Sequence, residues 1–154
     1  MMLNQQKKVR LAIRPLEEFL AEIQKALHIA EAEVSIAFVA DRQIAKWNLS
    51  YRKKKGPTDV LSFPAQSLRR IERHRRAHSS RAAKGRRAGG FLGDIAIAPE
   101  TARRYAKKNN RSVDAELRVL MLHGVLHLMG YDHESDQGQM NRIEQKLRRR
   151  LGIA

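Results

Sequence analysis

The sequence predicts an α+β fold, and three observations predict it. Strand-like runs gather early in the chain, helical apolar spacing gathers late, and one late helix is apolar nearly all round, as a centrally buried element would be. The strands number four and the helices about five. At 154 residues with 42% hydrophobic content, the chain suits one domain around one core, and we read residues 1–154 in that way.

Taken in order, residues 7–13 (KKVRLAI) alternate partly and read as a strand. Pro15 opens a helix running to His28, with apolar residues at Leu16, Phe19, Leu20, Ile23 and Leu27. Residues 34–40 (VSIAFVA) are a β-branched apolar run and read as a more buried strand. Asp41 is placed to cap a short helix carrying Ile44, Trp47 and Tyr51, which leads into the basic turn KKKGP. Val60 to Phe63 and Asp94 to Ala98 give two further strands. Pro99 and Glu100 begin the next helix, and Ser112 caps the one after it. That helix carries Leu117, Leu120, Met121, Leu122, Val125, Leu126, Leu128 and Met129, and Gly130 is suited to end it. A last helix, Asp136 to Leu151, has a polar face and a weaker apolar stripe at Met140, Ile143 and Leu147.

Charge narrows the partners. The 31 Lys and Arg against 16 Asp and Glu leave a net charge of +15, which favours polyanions, nucleic acid first among them, through phosphate contacts and counterion release. Residues 65–90 supply +8 of it, from nine Lys and Arg against one acid, and read as a basic insertion that is either an RNA-contacting arm or a solvated segment. No apolar run approaches the roughly 20 residues that cross a bilayer, so a membrane partner is not expected. Lys7, Lys8, Arg10 and Arg14 break up the amino terminus, which lacks the continuous stretch of a secretory signal, and the simplest location is the cytoplasm. With no cysteine, any metal must be held by His, Asp or Glu.

The segment His123-Gly-Val-Leu-His127-Leu-Met-Gly130-Tyr-Asp-His133 supplies that donor set. His123 and His127, four apart, share a helix face, and a turn at Gly130 lets His133 close the set around one ion, zinc by preference. Three protein ligands leave a fourth position for water, the open arrangement of a catalytic metal. Ordinary core histidines are the bland alternative, but burying two unsatisfied imidazoles would cost about 1–3 kcal/mol each. The same spacing occurs in metzincin peptidases, which carry Glu beside the first histidine as general base. Gly124 stands there instead, which argues against peptidase chemistry. Glu116, seven residues before His123, either orients a ligand or assists water, or is a surface carboxylate paired with Arg118 or Arg111. Asp132 either receives the remaining N–H of a ligand imidazole or caps the last helix or its approach. Thr58, Asp59 and Ser62 suit local hydrogen bonds into the strand that follows. His74 and His78 are also four apart, but neighbouring arginines disfavour a cation there.

These residues resemble the YbeY family of bacterial endoribonucleases, or rRNA maturation factors, whose hallmark His-Gly-x-Leu-His-Leu-x-Gly-Tyr-Asp-His is matched by residues 123–133. A second block, Asn-x-x-Tyr-Arg followed by Pro-Thr-Asp-Val-Leu-Ser-Phe-Pro, is matched by Asn48, Tyr51, Arg52 and residues 57–64, and a third by Gly93 to Ile95. Met140 and Glu144 also fit the family's last helix. The resemblance implies a mixed four-stranded sheet with helices around a central one, and one Zn2+ per chain held by His123, His127 and His133. It also implies cleavage of single-stranded RNA in ribosomal RNA maturation and quality control, with the small ribosomal subunit as partner. In the family an arginine of the second block faces the metal cleft. The matching Arg52 can grip a phosphate bidentately and offset charge at phosphorus, with Lys53, Lys54 and Lys55 as further nucleic-acid contacts. The 65–90 region, usually shorter or acidic in the family, departs from the pattern. Two other readings stand beside this one: a zinc hydrolase of a non-nucleic substrate, and a ribosome-associated binding protein with a structural metal.

Overall fold

In the computed structural model, the residues described are 1–65, 90–132 and 136–153. The basic 65–90 segment, apart from its two end residues, lies outside them with His74 and His78, and so does His133.

Four strands form one mixed sheet in the order β1-β2-β4-β3. These are β1 (Met2–Asn4), β2 (Glu33–Phe38), β3 (Val60–Pro64) and β4 (Phe91–Ile97). β1 and β4 run parallel to β2, and β3 runs antiparallel to β4. Five helices surround the sheet among the described residues: α1 (Ile13–Ala26), α2 (Asp41–Arg52), α3 (Pro99–Lys108), α4 (Val113–Leu128) and α5 (Gln139–Leu151). The fold is α+β, as the residue patterns predict.

The first strand is not the expected one. Residues 7–13 are not a strand because the Gln6 side chain takes both backbone groups of Val9: its amide donates to the Val9 carbonyl at 2.9 Å and its oxygen accepts the Val9 N–H at 3.0 Å. A backbone so engaged has nothing left for a sheet partner. Met2–Asn4 pairs with Ile36–Phe38 instead. α1 therefore begins at Ile13, with Pro15 in its first turn, where a missing N–H costs no helical bond. Asp41 does not cap α2 but is its first residue. Its carboxylate accepts from Thr101 Oγ1 at 2.8 Å and Arg104 Nη2 at 2.9 Å, tying α2 to α3.

The core has two layers. On one face of the sheet, Val34, Ile36, Phe38, Ile95 and Ile97 meet α1, α4 and α5, with Leu16, Phe19, Met121, Val125 and Met140 among the buried side chains. On the other, Ala96, Leu61 and Val39 meet Ile44 of α2, with Trp47 and Phe63 at the margin. α4 is the central helix. Ser112 caps it by accepting the Ala115 N–H at 3.1 Å, and Gly130 takes φ +101° just beyond its end. α5 starts three residues later than expected, because Asp136 accepts the N–H groups of Gly138 and Met140, each at 2.8 Å, and organises the turn before the helix.

Candidate metal centre

From Val119 to Leu128 every residue of α4 is buried except His123 and His127, which are half-buried. Helical periodicity places the two on one face, the half-buried part of an otherwise buried stretch of α4. Gly124 sets how deeply α4 sits on the sheet, since a Cβ there would lie 2.9 Å from Ile95 Cδ1 and Cγ2. Ser62 Oγ donates to the Gly124 carbonyl at 3.2 Å and joins β3 to α4 beside the histidines. Its bond is therefore across the fold rather than local.

The Nε2 atoms of His123 and His127 are 3.0 Å apart, with ring centroids 4.5 Å apart and planes at 67°. The Nδ1 of His123 lies 3.1 Å from Glu144 Oε1 on α5. Glu144 is 6% exposed, and its carboxylate, when ionised, would accept from Nδ1–H and leave the Nε2 of His123 as the nitrogen available to a metal. Two imidazole nitrogens bound at ~2.0–2.1 Å to one tetrahedral ion stand about 3.3 Å apart, close to the separation found. A carboxylate behind a ligand imidazole is also the usual support of a metal-bound histidine. His123 and His127 thus fit as two ligands of a zinc-type ion.

Glu116 is buried in an ion pair with Arg111 at 3.2 Å, while Arg118 pairs with Asp114 at 2.7 Å. For Glu116 the structure shows the pairing with Arg111, and Glu144 is the carboxylate that meets a histidine. Sequence reasoning did not single out Glu144 as a site residue. Its signal was present, an acid at the register of Met140 and Leu147 on the inward stripe of α5, where burial calls for a partner. The Asp132 backbone carbonyl accepts the Asp136 N–H at 3.1 Å, and the Asp136 carboxylate accepts the Met140 N–H at 2.8 Å in the first turn of α5.

Arg52 ends α2 and is exposed, followed by exposed Lys53, Lys54 and Lys55. Buried Asn48 anchors this turn, donating from side-chain Nδ2 to the Gly56 carbonyl at 2.9 Å while its backbone carbonyl accepts the Lys54 N–H at 3.3 Å. Thr58 Oγ1 lies 3.4 Å from Asp59 Oδ1 in the stretch leading into β3.

The family described as Endoribonuclease YbeY matches residues 1–152. The chain belongs to the YbeY family. Among YbeY proteins, it is 39% identical over 146 residues to an "Endoribonuclease YbeY" of Anaeromyxobacter sp., covering 94% of this chain and 67% of that protein. It is 34% identical over 153 residues to one of Koribacter versatilis, covering 99% and 86%. Its fold matches the solution structure of TM1509 from Thermotoga maritima at TM-score 0.59 and 26% identity, over 98% of this chain and 89% of that one. Within the YbeY blocks, Arg52 and the His123–His127 pair stand on separate elements, α2 and α4, linked through β3.

Proposed function

We propose that this protein is a metal-dependent endoribonuclease that cuts single-stranded segments of ribosomal RNA during maturation and quality control of ribosomes, in the cytoplasm and in contact with the small ribosomal subunit. The chain acts as one hydrolase domain carrying a basic insertion at 65–90. The observation that carries the reading is the His123–His127 pair, its Nε2 atoms 3.0 Å apart and braced by Glu144. Family membership supports RNA as substrate, and the +15 charge agrees with it.

His123 and His127, with His133, would hold one zinc ion. Bound there, zinc supplies a Lewis acid and a water acidified toward neutrality. Glu144 keeps His123 in the tautomer that presents its Nε2 lone pair. Arg52 binds the scissile phosphate through its guanidinium fork and offsets the negative charge that grows on phosphorus. Lys53, Lys54 and Lys55 attract the flanking backbone.

Metal analysis paired with a single-stranded RNA cleavage assay tests this. His123→Ala should lose metal and cleavage together, and a metal-free variant that still cleaves would overturn the proposal. Arg52→Ala should keep the metal and slow turnover on the order of a hundredfold. Chelation should abolish activity while the fold persists. Unfolding on chelation would mark a structural ion instead.

A further inference from the structure

The end of α2 holds a side-chain arrangement that the metal centre does not use. Tyr51 is 68% exposed, yet its ring is fixed edge-to-face against Phe63, with centroids 5.0 Å apart and planes at 68°. Phe63 in turn meets the Trp47 ring at 6.2 Å and 83°. The exposed ring therefore stands on a buttress of two others rather than swinging in solvent. Tyr105, also exposed, differs: the ammonium of Lys108 lies over its ring at 6.0 Å.

Four exposed cations, Arg52 to Lys55, follow Tyr51 directly. Their turn is held in place, because Lys53 and Gly56 adopt φ +57° and +89° and buried Asn48 bonds to both Lys54 and Gly56. Phe63, which supports Tyr51, is next in β3 to Ser62, whose hydroxyl reaches the residue after His123. One edge strand thus carries the ring platform on one face and contacts the histidine-bearing helix from the other.

We propose that Tyr51 is a base-stacking residue: an unpaired base of single-stranded RNA stacks on its ring while the adjoining phosphates meet Lys53, Lys54 and Lys55. This rests on the endoribonuclease reading and gives it a source of selectivity. Every base has a π-face, and a ring beside a cationic track is the common device for holding single strands. In a duplex those faces are hidden by stacking, so Tyr51 has nothing to grip.

The test is equilibrium binding of a fluorescent single-stranded RNA of about ten nucleotides, a length such surfaces span, beside an abasic oligonucleotide of the same length. Tyr51→Ala should weaken binding to the RNA about ten- to a hundredfold without changing the salt dependence. Tyr51→Trp should restore it, and the abasic strand should bind wild type and Tyr51→Ala alike. If Tyr51→Ala also melts earlier, Tyr51→Leu, which keeps apolar contact with Phe63 but has no π-face, should show the same weakening. Wild type that binds and cleaves RNA while Tyr51→Ala and Tyr51→Leu bind equally well overturns the stacking role alone. Wild type that binds no RNA overturns both this role and the endoribonuclease reading.

Discussion

Glu144 Oε1 lies 3.1 Å from Nδ1 of His123, joining two helices across 21 residues of sequence. If the carboxylate fixes a ligand imidazole, Glu144→Gln should lower zinc affinity on the order of 10–100-fold, measured by competition with a chromophoric chelator. Glu116→Gln gives the contrast. Its partner is Arg111, so it should lower the melting temperature and leave zinc affinity unchanged. Equal losses of affinity in both variants would refute a specific role for Glu144.

Two glycines near the site should respond differently to alanine. Gly93 has φ +149°, and a Cβ there would lie 2.5 Å from the Phe63 carbonyl oxygen and 2.7 Å from Leu128 Cδ2. That oxygen is backbone in the β3–β4 pair and has little freedom to yield, so Gly93→Ala should cost about 4 kcal/mol or more in denaturant unfolding. Gly124→Ala meets only the Ile95 side chain and gains helix propensity of up to ~1 kcal/mol, so its net loss should be nearer ~1–2 kcal/mol. Combining it with Ile95→Val, which removes the Cδ1 methyl, should recover part of that loss.

Partial desolvation raises the pKa of the Asp94 carboxyl, although the residue as a whole is exposed on β4, so solvent screens most of the effect. Its charged form is then disfavoured more in the folded chain than in the unfolded one, so the folded state binds more protons. The group subtracts stability at pH values above its folded pKa, and the penalty shrinks as pH falls through that value and is gone below the unfolded one. Asp94→Asn should therefore raise the melting temperature only slightly near about pH 7, because the group is exposed, and lose that advantage near about pH 3, a window set by ordinary carboxylates. The same gain at both pH values would assign the effect to packing instead of charge.

Much of the fold was legible because it rests on local rules. The apolar spacing of α1, the Ser112 cap, the all-round apolar character of α4 and the turn at Gly130 each follow from a few neighbouring residues. The errors have a common origin. Residues 7–13 carry a fair strand pattern, but Gln6 captures the Val9 backbone, and Asp41 leaves its cap position for Thr101 and Arg104 some 60 residues away. In both cases a side chain outcompeted the local backbone preference.

That His123 and His127 share a face follows from their spacing alone, because 3.6 residues per turn places them so wherever a helix forms. The sequence also locates Arg52 and the basic turn. Packing between elements brings Glu144, and not Glu116, to His123, Ser62 to Gly124, and Tyr51 against Phe63. Helical spacing says which residues lie side by side along one element. Which other element supplies the partner depends on how the faces pack, and here that packing turns on Gly124 and Gly93, whose missing side chains let α4 lie close against β3 and β4.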